Sequence, residues 1–131
     1  MIAPVAVAQL SVDGADLDPL AAAVAACKRE VVAKTVSDDT QRHGAFLVDA
    51  FKEQQNLAKA RVDLAARRYK LRFPVAGEKS PDDERTLGAL EQSLDARQHA
   101  LDDQRALDRL KQDAIGWFRQ NYITQCQGKG A

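Results

Sequence analysis

Leu57, Leu64 and Leu71 recur every seven residues, with Leu47, Phe51, Ala58, Val62 and Ala65 alongside them. This is the signature of a broad apolar stripe on one long helix. Leu87, Leu94 and Leu101 repeat the spacing in the second half of the chain, with Leu90 beside them. The apolar phase then shifts to Leu107, Leu110, Ala114, Trp117 and Phe118, which predicts a stutter and a local change of supercoil. No alternating strand pattern competes with these helical periods.

Helix punctuation is sparse. Asp18 is placed to cap a helix with Pro19 at its first position, where the missing N–H costs nothing. Pro74 biases Phe73 away from helical geometry and predicts a stop near Arg72. Beyond a short turn, Ser80 can act as N-cap, Pro81 as first residue and Asp83 as the closing member of a capping box; Asp82, Asp83 and Glu84 favour a helix N-terminus. The predicted fold is therefore all-α, a long coiled-coil-like antiparallel two-helix hairpin. It comprises a helix over 19–72, a turn over 73–80 and a helix over 81–124, within a domain over 18–126. Residues 1–17 and 127–131 read as flexible ends. One stretch, "TVSDDTQRHG", carries residues that cap and turn more readily than they propagate, so the first helix is continuous or kinked near 37–44, the alternative being a break there that converts the hairpin into a three-helix bundle.

A turn centred near Ala76 and Gly77 sets Cys27 opposite Cys126. The same register sets Phe46 opposite Leu107, Val36 opposite Trp117, Val31 opposite Tyr122 and Leu64 beside Leu90. A Cys27–Cys126 disulfide stapling the open end is predicted, the alternative being two reduced thiols in a cytosolic protein. No C-x-x-C motif suggests redox or metal chemistry. Ala6-Val7-Ala8 before Gln9 has the form of a signal-peptidase site, so the first eight residues read as the remnant of a signal peptide, or as chance in an alanine-rich chain. Together these features predict a periplasmic or extracellular location, with the cytoplasm as the alternative.

Composition narrows the function. Lys plus Arg and Asp plus Glu number 19 each in 131 residues, so no net charge draws the protein to nucleic acid or an anionic membrane. No apolar run approaches a membrane span. His43 and His99 fall out of register in the hairpin, and no nucleophile elbow, phosphate loop, zinc or calcium motif is present. No catalytic residue, metal or cofactor is predicted, and the protein is not expected to be an enzyme. Two surfaces remain. Arg61, Arg67, Arg68, Lys70 and Arg72, interleaved with Tyr69 and Phe73, form a basic tip that could hold phosphate groups, although the helix dipole and the acids across the bend account for such a cluster without a ligand. The apolar face, including Phe46, Leu47, Phe51, Trp117, Phe118 and Tyr122, is too wide for two helices to bury, which predicts a homodimer or another protein partner. The resulting expectation is a non-enzymatic periplasmic or secreted scaffold that binds a protein partner of unknown identity. The alternative is a cytosolic coiled-coil module that binds nucleic acid or phosphate at its tip.

Overall fold

A computed structural model of the chain describes residues 17–127. The Ala6–Ala8 triplet and residues 128–131 lie outside them. Among the described residues the protein is all-α, with three helices and no strand: α1 (Leu17–Ala25), α2 (Arg29–Arg72) and α3 (Glu84–Cys126). The long helices α2 and α3 run antiparallel, as the ion pairs Arg42–Asp108 and Glu53–Arg97 between them and Arg67–Asp82 just before α3 show. The short α1 packs against both.

Three helices replace the two of the predicted hairpin, and the break falls at residues 26–28 rather than 37–44. No turn residue marks this corner. The chain leaves α1 through a Schellman arrangement, in which Cys27 N–H donates to Val24 C=O and Lys28 N–H donates to Ala23 C=O. Cys27 takes the left-handed position normally filled by glycine, with φ 52°. Tertiary packing overrides helix propensity here: the corner lets Leu20, Ala23 and Val24 bury against Val32 and Ile115, with Val36, Phe118 and Tyr122 around them. Burial of Leu20 alone stabilises by about 1.5–3 kcal/mol.

The stretch 37–44 stays helical, with several of its polar side chains held by partners. Thr35 and Thr40 hydroxyls donate back to the carbonyls of Val31 and Val36, one turn earlier. Asp39 turns inward to meet Gln112 Nε2 at 2.6 Å and lies 3.8 Å from Lys111 Nζ, while His43 Nδ1 sits 2.7 Å from Asp108 Oδ2. Helix-weak residues are thus held by a buried polar layer contributed largely by α3.

The predicted stutter in α3 is also absent. Its core positions keep one heptad frame through Leu87, Leu94, Leu101, Asp108, Ile115 and Tyr122, while Leu107, Leu110 and Trp117 point to solvent. Apolar residues alone suggest a phase shift because the frame passes through Arg97, Asp108 and Lys111, all buried. The register moves with it. Glu53 meets Arg97, where the predicted alignment would have placed Ala100, three residues farther from the turn.

At the tip, Phe73 N–H caps α2 by donating to Tyr69 C=O, and Glu78 N–H closes a turn on Val75 C=O with Gly77 at φ 86°. The α3 N-cap is Asp83, whose carboxylate accepts from Thr86 N–H at 2.7 Å. Ser80 Oγ instead accepts from Asp82 N–H in the loop, so α3 starts at Glu84 and Pro81 stays outside it.

Candidate protein-binding surface

Three features bear on what the molecule can do: its closed end, its charged interior and its exposed face. At the closed end, Cys27 and Cys126 form a disulfide with Cα atoms 5.5 Å apart. It ties the α1–α2 corner to the last residue of α3 and so anchors the C-terminal end of α1 where the two long helices meet, while the packing of Leu20, Ala23 and Val24 holds the rest of that helix down. The sequence places these cysteines opposite each other through a straight-helix register. The structure brings them together differently, because the long helices are offset by about three residues and the corner at 26–28 makes up the difference.

The interior alternates apolar and polar layers. Phe46, Ala50, Leu57, Leu64, Leu87, Leu94 and Leu101 form one apolar segment, and the α1 cluster forms the other. Within the first, Glu53 and Arg97 form a buried ion pair at 2.5 Å. Between the two segments, Arg42 bridges Asp39 at 2.9 Å and Asp108 at 2.8 Å. Gln54 and Gln98 exchange hydrogen bonds at 3.0 Å along one flank. Each inward-facing carboxylate therefore has a cation or amide beside it, an arrangement that a shift of helix register would break. Among the described residues no group of three or more His, Cys, Asp or Glu side chains is placed to hold a metal ion.

The basic tip is largely matched by acids. Arg61 pairs with Asp95 at 3.1 Å, Arg67 chelates Asp82 and approaches Asp63, and Arg68 pairs with Glu91 at 2.9 Å. Lys70 and Arg72 are exposed beside Tyr69 and Phe73, whose rings lie 5.0 Å apart. The hydrogen bond from Arg67 holds the Asp82 carboxyl below its ordinary range, and that from Arg68 does the same for Glu91. Thr86 N–H lowers Asp83 in the same way. A carboxylate whose pKa is lower folded than unfolded adds stability above the ordinary carboxylate range and loses that contribution as pH falls toward its folded value. Melting temperature is therefore expected to drop on acidification through that range, and Asp82→Asn with Glu91→Gln should flatten part of the drop. An unchanged slope in the double variant, measured by circular dichroism melts across pH, would contradict these pairings.

We find no match between this chain and any family model, curated protein or solved structure compared with it. The surface itself must supply the functional argument.

The apolar side chains read from the sequence as one broad stripe divide into two. Phe46 is in the core, and Phe118 and Tyr122 pack around α1, which covers part of the face the sequence assigns to a second molecule. Phe51 is 63% exposed and Trp117 62% exposed. On α2 the exposed residues form a line of their own: Val48, Phe51, Ala58, Val62, Ala65 and Tyr69, with Gln55 as the single polar interruption. Their spacing alternates three and four, as a coiled-coil seam does. This line lies on the back of α2, away from the heptad positions that face α3. Apolar spacing alone picks out Phe51, Ala58, Val62 and Ala65 but merges them with the core stripe. Sorting them into two heptad frames, one through Glu53 and one through Gln55, would have separated them.

Proposed function

We propose that this chain is a non-catalytic helical scaffold of the periplasm or extracellular medium that docks a protein partner along the back of α2. The observation that carries this reading is the solvent-facing seam from Val48 to Tyr69. The core frames of α2 and α3 already satisfy each other, so the fold does not call for this second apolar line. A straight apolar strip of six turns is a liability in water unless another surface covers it. The disulfide supports an oxidising compartment. The matched interior charges support a structural rather than catalytic use of the buried carboxylates. The sequence suggests a second copy of the chain as partner; a different protein is the other occupant, and the residues beside the seam distinguish them. A cytosolic module binding nucleic acid has less support, because Arg61, Arg67 and Arg68 are already engaged by acids.

A photo-crosslinking amino acid at position 62 tests the proposal in the cell of origin. A covalent adduct with another polypeptide is expected there, and none from the exposed position 99 on α3. Equal adducts at both positions, or none at 62, would remove the seam as a binding face.

A further inference from the structure

We infer that the occupant of the α2 seam is an amphipathic helix of another protein, apolar along one heptad line and acidic on both sides of it; this deepens, and rests on, the docking role proposed above. The argument comes from the residues that flank the seam. On one side stand Lys52 and Lys59, both exposed. On the other stand Leu47, Gln54, Arg61 and Arg68. No acid belongs to either flanking row. Arg61 and Arg68 are partly neutralised by Asp95 and Glu91 of α3, whereas among the described residues Lys52 and Lys59 reach no carboxylate across the helices, the exposed Asp49 and Asp63 of α2 standing one row farther from the seam. In a helix pair the flanking positions meet one another across the seam and set partner choice.

A second copy of α2 answers this pattern poorly. Laid on itself in either orientation, the seam brings basic or neutral flanks together and forms no opposite-charge pair. The other exposed apolar face, Leu107, Leu110 and Trp117 on α3, spans about half the length of the seam and cannot cover it. An acidic helix fits both the spacing and the charge. Gln55, alone among apolar positions, would set its register, as a single polar seam residue does in coiled coils. The small side chains of Ala58 and Ala65 would let it approach closely at the centre, between the large side chains of Phe51 and Tyr69.

The test uses the full chain with its disulfide intact and two synthetic four-heptad peptides. Both carry the same leucine and alanine seam; one has glutamate at every flanking position, the other lysine. The glutamate peptide is expected to bind roughly tenfold more tightly at low salt, since each lysine changes from attraction to repulsion. The preference should shrink at high salt and reverse in Lys52→Glu/Lys59→Glu. Val62→Glu should abolish binding of both peptides. Equal binding of the two peptides would overturn the acidic partner while leaving the seam as a docking face. A dimer in light scattering that Phe51→Glu dissolves would also overturn it, with a second copy as the occupant. Failure of both peptides to bind would overturn the inference, and the crosslinking result at position 62 then decides whether the docking role falls with it.

Discussion

Loss of the Cys27–Cys126 bond is expected to lower the unfolding free energy by about 3–5 kcal/mol. The bridge joins residues 99 positions apart, and the chain-entropy account assigns a loop of about that length close to 4.7 kcal/mol, reduced where the unfolded chain keeps residual structure. For a domain of this size the loss corresponds to a fall in melting temperature of roughly 10–30 °C. It should not be uniform. With 9 residues, α1 is too short to persist alone, and its hold on the bundle is Leu20, Ala23 and Val24 together with the covalent tie. Amide exchange should therefore accelerate first around residues 17–28 and 115–126, while the segment from Phe46 to Leu101 stays protected. The replacement chosen for Cys27 matters. Because this residue sits at φ 52°, Cys27→Gly/Cys126→Ser should be more stable than Cys27→Ser/Cys126→Ser by about 1 kcal/mol. Equal stability of the two variants would show that the corner is not left-handed in solution.

The buried Glu53–Arg97 pair gives the second large effect, and its sign depends on how the pair is removed. Arg97→Met leaves the Glu53 carboxylate, only 2% exposed, without its cation and is expected to cost about 3–5 kcal/mol in urea denaturation. Glu53→Leu/Arg97→Met removes both charges and should return stability to that of the parent or exceed it by about 1–4 kcal/mol. Arg97 Nε is buried without a hydrogen-bond partner, so the pair is incompletely satisfied, which favours a gain in the double variant. What the pair supplies is register. A slip of one heptad would set Glu53 against Leu90 or Gln104 and leave a carboxylate buried beside a group of the wrong kind. A single substitution costing less than 1 kcal/mol would mean that water reaches this layer.

These effects bear on how much of the molecule could be read from its residues. The all-helical class, the long antiparallel arrangement, the turn near Gly77 and the Leu87, Leu94, Leu101 core line all follow from apolar spacing and helix punctuation. The corner at 26–28 does not. Ala25, Ala26 and Lys28 are good helix formers, and the packing of Leu20 and Val24 on Val32 and Ile115 that bends the chain there is a tertiary effect. The alternative of a break at 37–44 does not occur, for the complementary reason: Asp39 and His43 are weak helix residues locally, yet they face Lys111, Gln112 and Asp108. The same blind spot produced the apparent stutter in α3, because an apolar count skips the core positions held by Arg97, Asp108 and Lys111. Complementary charges at heptad spacing in the two helices, Glu53 with Arg97 and Asp39 with Lys111, are a signal that would have fixed the register. For the binding surface, Phe51 was legible as a candidate. Its separation from Phe46, five positions away and fully in the core, required knowing which of the two heptad frames of α2 meets α3.

The covalent closure of the bundle supports both the arrangement of the three helices and the oxidising compartment, and non-reducing peptide mapping tests it most directly. Protein purified from its natural source is alkylated, then digested with trypsin without reduction. The account requires residues 120–129, which contain Cys126, to be recovered joined to the peptide that ends at Lys28 and contains Cys27, with neither cysteine alkylated. Recovery of the two peptides separately, each carrying the label, would contradict it.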